Sequence, residues 1–409
     1  MSVFLTKIHL NKIFHLENIA IDIDPLEKKH LILTGKNGSG KTSLINSIAD
    51  FLQNIKDDTS LNFLNFERSL VEWEKTLKSR KLGNNQAEIY DAENTVKFFR
   101  DRWAACYGRL NLEFNDIYEL AKKLQNNDFL LSYYSATRKT NVIVPINPEK
   151  PNLTPVDNLK ESKIQEFVKF LIDLKVQEAL ARNESQNQAA DKIKIWFNSF
   201  TQLLQKLFEG DKVSLDFNYK NYSFTINQSG RRFGFNELSD GYSAIIDIIA
   251  DLIIKMQNQD SLTRAYEKEG IVLIDEIETH LHLKLQRLIL PILTKIFPNI
   301  QFIVTTHSPF VLNSLKNAVA FDLEKRTRLE NLTEYSYEAL AEGYFKVETD
   351  SSFLIGKLDR FRELSEISKK DTAELAEYNS LDEEFASMDE IFSPQNIRGQ
   401  YLQIKLNAR

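Results

Sequence analysis

The 409 residues are 42% hydrophobic and 27% charged, a length and balance that suit a soluble intracellular enzyme with a full catalytic core and an additional lobe. The formal net charge of −6 excludes a surface that is basic throughout, so contact with nucleic acid would need a local patch. A single cysteine, Cys106, excludes an internal disulfide framework and a Cys-x-x-Cys zinc hook.

The N-terminus lacks a basic segment followed by an apolar one, so no export signal is expected and the chain is read as cytoplasmic. Ser2 to Leu10 and Ile19 to Asp24 have strand character, and Lys29 to Thr34 reads as a short buried strand. This third strand runs into Gly35-Lys36-Asn37-Gly38-Ser39-Gly40-Lys41-Thr42, after which Ser43 to Leu52 shows the apolar spacing of a helix. A G-x-x-x-x-G-K-T string between strand and helix is a phosphate loop. Its three glycines let the backbone curl so that successive N–H groups point at a phosphate, at a helix N-terminus whose dipole also favours an anion. Residues Gly35 to Ser43 are the expected nucleotide-binding set, with Lys41 reaching the β- and γ-phosphates and Thr42 holding Mg²⁺.

Residues 57 to 210 carry no phosphate-loop chemistry and read as a mostly helical insertion, with Asn158 to Ala181 and Ala189 to Leu207 its clearest helices. Lys75, Lys78, Arg80 and Lys81 cluster beside Trp73, which fits a solvated helix face or contact with a phosphate backbone. Phe129-Leu130-Leu131 leads into Tyr133-Tyr134-Ser135-Ala136-Thr137-Arg138, either an ordinary strand exit or a loop that brings Arg138 to the nucleotide. Pro145, Pro148, Pro151 and Pro155 mark a loop, and the absence of sustained heptads excludes long coiled-coil arms. Lys212 to Phe217, Ser223 to Ile226 and Arg231 to Phe235 read as a three-strand meander entering Leu238-Ser239-Asp240-Gly241-Tyr242 and a helix. The most apolar stretch, Ile245 to Ile254, is interrupted by Asp247 and Asp251, so no membrane span is expected.

Ile271-Val272-Leu273-Ile274 reads as a buried parallel strand ending in Asp275 and Glu276, at the end of the sheet where open α/β folds place ligands. Asp275 is expected beside Mg²⁺, and Glu276 as the general base that polarises the attacking water. Glu278, His280 and His282 lack the spacing and cysteine partners of a zinc site and read as lining a seam between subunits. A second apolar strand, Gln301 to Thr306, ends in His307, which is expected to meet the γ-phosphate. Beyond it the chain turns polar. Ser365 to Met388 is acidic and helix-prone, with Leu375, Tyr378, Leu381, Phe385 and Met388 on one narrow stripe that fits either packing on the parent domain or docking a partner.

Taken together, Gly35 to Thr42, Leu238 to Tyr242, Ile271 to Glu276 and His307 resemble the Walker A, signature, Walker B and switch-histidine motifs of ABC-type ATPases, in the branch containing RecF, Rad50 and SMC proteins. Asp275 to His282 with Gln286-Arg287, Phe297 to Gln301 and Thr305 to Pro309 is similar to the stand-alone bacterial anti-phage ATPases of Septu-type and retron-associated systems. It is also similar to the ATPase half of the overcoming-lysogenization-defect nucleases. The resemblance implies that Ser239 and Gly241 bind the γ-phosphate held by a second subunit, so that a homodimer encloses two ATP. It also implies a separate HNH-type nuclease as partner. The six histidines of this chain form no HNH site, and no Toprim-like acidic set follows the core.

The expected fold is therefore α/β, an ABC-type P-loop domain in two halves, 1–56 and 211–340, with a mostly helical insertion at 57–210 and a helical extension at 341–409. The expected function is an ATPase that needs ATP and Mg²⁺ and senses or regulates a nuclease in anti-phage defence. Two other classes fit the same motifs, a RecF-like repair ATPase that binds DNA directly and a non-hydrolytic nucleotide-gated scaffold.

Overall fold

A computed structural model of the chain describes residues 2–58, 62–83, 85–137, 142–145, 147–208, 212–257, 267–329, 332–344, 352–367, 369–387 and 395–407. The chain divides into two compact units, Met1–Glu334 and Tyr335–Arg409.

The first unit opens on an antiparallel hairpin, β1 (Leu5–Ile13) and β2 (Leu16–Asp22), whose alternating Leu5, Ile8, Leu10 and Ile13 point into the core. Its two-residue turn places Phe14 at φ 52 with its ring exposed to solvent. β3 (His30–Thr34) is buried along its whole length, and α1 (Lys41–Asp57) follows, packing Leu44, Ile45, Ile48, Phe51 and Leu52 into the same core. Next comes a helical hairpin of α2 (Phe66–Arg80) and α3 (Gln86–Tyr107), with α3 capped by the Asn85 side chain. β4 (Leu110–Phe114), α4 (Ile117–Gln125) and β5 (Phe129–Tyr134) complete this stretch.

α5 (Phe167–Asn183) and α6 (Asn187–Leu207) pair over an aromatic cluster in which Trp196 stacks on Phe200 at 5.4 Å. The meander β6 (Val213–Asn218), β7 (Ser223–Gln228) and β8 (Arg231–Phe233) forms its own antiparallel sheet and leads into α7 (Asp240–Met256). β9 (Glu269–Ile274), α8 (Leu283–Ile296), β10 (Ile300–Thr305), α9 (Pro309–Leu312), β11 (Ala318–Asp322) and β12 (Thr327–Leu329) close the unit.

The central sheet has the order β12-β11-β3-β10-β9-β5, parallel throughout except for β12. Parallel strands covered on both faces need apolar residues at every position, which is why β3, β9 and β10 are near-continuous hydrophobic runs. This order sets the C-terminal ends of β3, β10 and β9 side by side, bringing the phosphate loop, the segment after Thr305 and Asp275 to one edge. The segment 57–210 differs from a wholly separate helical insertion. β4 pairs with β1, and β5 pairs with β9 from Phe129 opposite Glu269 to Tyr134 opposite Ile274. Both strands are short and flanked by helices, so local periodicity alone attached them to the helical lobe.

α7 is almost entirely apolar and buried, yet Asp251 and Lys255 on it are also buried and pair at 2.8 Å. Tyr134 Oη donates to Asp251 Oδ2 at 2.5 Å, and Lys255 Nζ donates to Ser132 Oγ at 2.9 Å. These bonds tie α7 to β5 through Asp251 and Lys255.

His30 supplies a pH handle on the core. It is 5% exposed, its Nδ1 accepts the Phe302 N–H at 3.0 Å, and burial, reinforced by the Lys28 charge, holds its pKa down to about 4. Below pH ~6.5 the unfolded chain takes up a proton that folded His30 refuses, so stability falls as pH drops from ~6.5 to ~4, by about 3 kcal/mol in all. Chemical denaturation of the wild type and of His30→Asn at pH 7 and 4.5 should show a smaller loss in the variant. An equal loss in both would remove His30 as the cause.

In the second unit α10 (Tyr337–Ala339) precedes three longer helices, α11 (Ser352–Glu366), α12 (Thr372–Ala386) and α13 (Gln395–Asn407). Their shared core holds Leu358, Phe361, Leu381, Phe385, Ile397 and Tyr401, with Phe385 stacked on Tyr401 at 5.4 Å. The apolar stripe of this region has thus a destination that the sequence reading did not consider. Leu381 and Phe385 are core residues of their own three-helix unit, Tyr378 packs against that core, Leu375 is 49% exposed, and Met388 lies outside the described residues.

Candidate nucleotide site

Gly35, Gly38 and Gly40 all have positive φ, a conformation that lets the backbone turn from β3 to α1 within six residues. At Gly40, φ is 94 and a Cβ would come within 2.7 Å of Leu16 Cδ1, so a side chain here is excluded by both backbone strain and space. Lys41, 5% exposed, donates through Nζ to the Gly35 carbonyl at 2.9 Å and the Lys36 carbonyl at 3.1 Å. Burial lowers its pKa, opposed by the charge of Glu276. Ser39 Oγ is buried with no hydrogen-bond partner. A buried ammonium and a buried hydroxyl in one loop fit a phosphate, which would give Ser39 Oγ an acceptor and Lys41 a charged one in place of neutral carbonyls.

The end of β9 contributes the acids. Asp275, 2% exposed, accepts from Thr42 Oγ1 at 3.3 Å and from Thr305 Oγ1 at 2.6 Å, both on Oδ1. Hydroxyl and carboxylate converge as a Mg²⁺ site requires when phosphate and water supply its other ligands. Thr305 Oγ1 in turn accepts the Glu276 N–H at 2.7 Å, and Glu276 has φ 44. One buried hydroxyl therefore fixes both the Asp275 carboxylate and the backbone of Glu276. His307 is partly buried, and its pKa is lowered by desolvation and by the nearby Lys41.

Phe14 and His15 from the hairpin tip, Asn37, Gly38 and Gly40 to Ser43 of the phosphate loop, Glu276 and His307 line a single cavity of about 390 Å³. Phe14 and His15 escaped the sequence reading. The available signal was an aromatic residue exposed in a tight turn before the phosphate-loop strand. Ser239 and Gly241 do not line this cavity. Ser239 is exposed at the N-terminus of α7, and Gly241 is buried against the His280 carbonyl, 2.9 Å from where its Cβ would lie.

The other candidates are placed as follows. The Asp275 N–H donates to the Tyr134 carbonyl at 2.8 Å, so the exit of β5 lies beside Asp275; Arg138 lies outside the described residues. Burial, with the charge of Asp275, pushes the Tyr133 phenol up to about 12. His280 and His282 are exposed, and among the described residues no three His, Cys, Asp or Glu side chains gather as a metal site. Of the four basic residues near Trp73, Lys81 pairs with Glu93 at 2.8 Å and Arg80 donates to the Glu88 carbonyl at 3.2 Å, ties within the α2–α3 hairpin that fit a solvated face. Among the described residues no helix is long and apolar enough to cross a membrane.

Comparison with known proteins adds relatives to this geometry. The chain is 26% identical over 341 residues to the Septu protein PtuA of Bacillus mycoides (strain KBAB4), covering 81% of this chain but 42% of that protein. It is 24% identical over 381 residues to the Retron Vc95 probable ATPase of Vibrio cholerae serotype O1 biovar El Tor, covering 77% of this chain and 71% of that one. The chain therefore spans less than half the length of its Septu relative. Among solved structures, the SMC head domain from Thermotoga maritima aligns with 79% of this chain and 94% of its own at 13% identity and a TM-score of 0.35. The chain is an α/β protein with a phosphate loop, similar to the Septu protein PtuA and the Retron Vc95 probable ATPase. Residues 99–313 match the family described as "AAA domain, putative AbiEii toxin, Type IV TA system", and the chain belongs to that family.

Proposed function

We propose that this chain binds and hydrolyses MgATP at a site completed by a second copy of itself, and that its nucleotide state regulates a separate effector, a nuclease, in bacterial anti-phage defence in the cytoplasm. The observation that carries the ATPase reading is the convergence of the phosphate loop, Glu276 and His307 on one cavity, with Asp275 hydrogen-bonded to Thr42 of that loop and to Thr305. The defence reading rests on relatives named for Septu and retron systems. The nucleotide-binding domain is read as residues 1–56 and 211–340 together with β4 and β5, the rest of 57–210 as its helical lobe and 341–409 as an extension.

In this reading the N–H groups of residues 36–42 and the Lys41 ammonium bind the phosphates, Lys41 exchanging two backbone carbonyls for phosphate oxygens. Thr42 and Asp275 hold Mg²⁺, which when bound spreads the charge that builds on the phosphate oxygens. Glu276 orients water and draws its proton, and His307 donates to the γ-phosphate oxygens. Ser239, exposed and away from its own cavity, and the N-terminus of α7 that it opens face the γ-phosphate of the other copy.

Phosphate release by the purified chain tests the proposal. Mg²⁺-dependent turnover that disappears in Lys41→Ala is the expected result. Tight ATP binding without turnover would replace it by a nucleotide-gated scaffold, and tight DNA binding with DNA-stimulated turnover by a repair ATPase.

A further inference from the structure

The loop between the two acidic positions and α8 carries a carboxylate with no part in the chemistry above. Glu278 is partly buried, and its two oxygens are both engaged by the segment that follows β10. Oε2 accepts from Thr306 Oγ1 at 2.7 Å, and Oε1 accepts the His307 N–H at 2.5 Å. Eight residues further on, Gln286 Oε1 accepts from Ser308 Oγ at 2.6 Å, while Gln286 Nε2 donates back to the Leu281 carbonyl at 2.9 Å. Ser308 N–H also donates to Thr306 Oγ1 at 3.0 Å, so residues 306–308 are held through side chains of 278–286 at successive points.

The backbone explains why this matters. Thr306 N–H still reaches the Leu33 carbonyl of β3, the last link to the sheet. The next N–H, that of His307, is given to Glu278 instead. From that point the direction of the chain, and with it the imidazole that lines the nucleotide cavity, is set by a side chain from another loop. A carboxylate accepting two donors in a half-buried setting makes charge-assisted bonds, about twice as strong as neutral ones. Burial raises the pKa of Glu278, opposed by the same two hydrogen bonds.

We infer that Glu278 is a positioning residue for His307: its carboxylate holds the backbone at the start of the switch segment so that the imidazole faces the γ-phosphate position. The same loop continues to His280, whose carbonyl lies against Gly241 at the start of α7. The contact of Glu278 therefore joins the loop beside the signature residues to the switch histidine within one chain. The inference rests on the role given to His307 in the proposed function.

A double-mutant cycle on the full chain tests it, with kcat, KM, equilibrium MgATP binding and thermal unfolding measured for Glu278→Ala, His307→Ala and the pair. Misplacing a reacting group by about 1 Å costs up to ~100-fold. Glu278→Ala should therefore lower kcat by about 10- to 100-fold while leaving MgATP affinity within about twofold. Because it acts through His307, it should add no further loss in the His307→Ala background. Glu278→Gln, which keeps volume and one acceptor, should fall between wild type and Glu278→Ala, and it carries the same cycle if the alanine variant does not fold. Losses that multiply in the pair, or wild-type kcat in Glu278→Ala, would overturn the inference while leaving the ATPase reading intact. Full turnover in His307→Ala would remove the role of His307 and this inference with it.

Discussion

Glu276→Gln is expected to bind MgATP as the wild type does, to lose turnover by about a thousandfold, and to accumulate as an ATP-bound dimer. That loss corresponds to about 4 kcal/mol of transition-state stabilisation, within the range a general base contributes. The expectation follows from how the residue is held. Its N–H is fixed by Thr305 Oγ1, its φ of 44 turns the chain away from β9, and it lines the nucleotide cavity opposite Lys41. The amide keeps the shape and removes the base. Lys41→Ala should behave differently, failing to bind ATP at all, because Lys41 is the buried cation of the phosphate loop. Phosphate-release kinetics and size-exclusion chromatography with and without MgATP separate the two. Wild-type turnover in Glu276→Gln would end the assignment of Glu276 as base.

The second large effect concerns a residue outside the cavity of its own chain. Ser239 is exposed at the N-terminus of α7. Ser239→Arg should leave nucleotide binding by the monomer nearly unchanged and abolish ATP-driven dimerisation and turnover, since a long cation would stand where the partner's γ-phosphate must dock. Mixing Ser239→Arg with Lys41→Ala gives a heterodimer with one composite site intact, formed by the phosphate loop of the first and the signature of the second. Turnover should then return when two inactive proteins are combined. Normal hydrolysis by Ser239→Arg alone would refute the facing dimer.

The second unit constrains how its role in partner binding can be examined. Leu381 and Phe385 are core residues there, so polar substitutions at either position would unfold the three-helix unit rather than remove a contact surface. Removing Tyr335–Arg409 as a block follows the structural boundary.

What the sequence by itself determined has a local physical cause. The phosphate loop depends on glycines and a lysine within a few consecutive residues, and positive φ at Gly35, Gly38 and Gly40 is a property each glycine carries alone. The position of Asp275, Glu276 and His307 at strand ends was legible because they lie just after mostly apolar strands, and a parallel sheet buried on both faces demands such runs wherever they lie. The meander before α7 was legible from alternation and turn residues.

Only the tertiary structure decided which distant residues meet. Thr305 reads in the sequence as one more strand residue, yet β10 lies beside β9, and that adjacency makes its hydroxyl the link between Asp275 and Glu276. Glu278 reads in the sequence, with His280 and His282, as part of a seam between subunits; the parallel pairing of β9 with β10 sets its carboxylate against the His307 amide of the same chain. β5 lies within a segment dominated by helices, but an edge position next to β9 was open to it, and a buried apolar run carries no record of which neighbour a strand takes. The stripe of α12 shows the same limit: periodicity states that one face of a helix is buried, while the surface that buries it is supplied by the neighbouring helices α11 and α13.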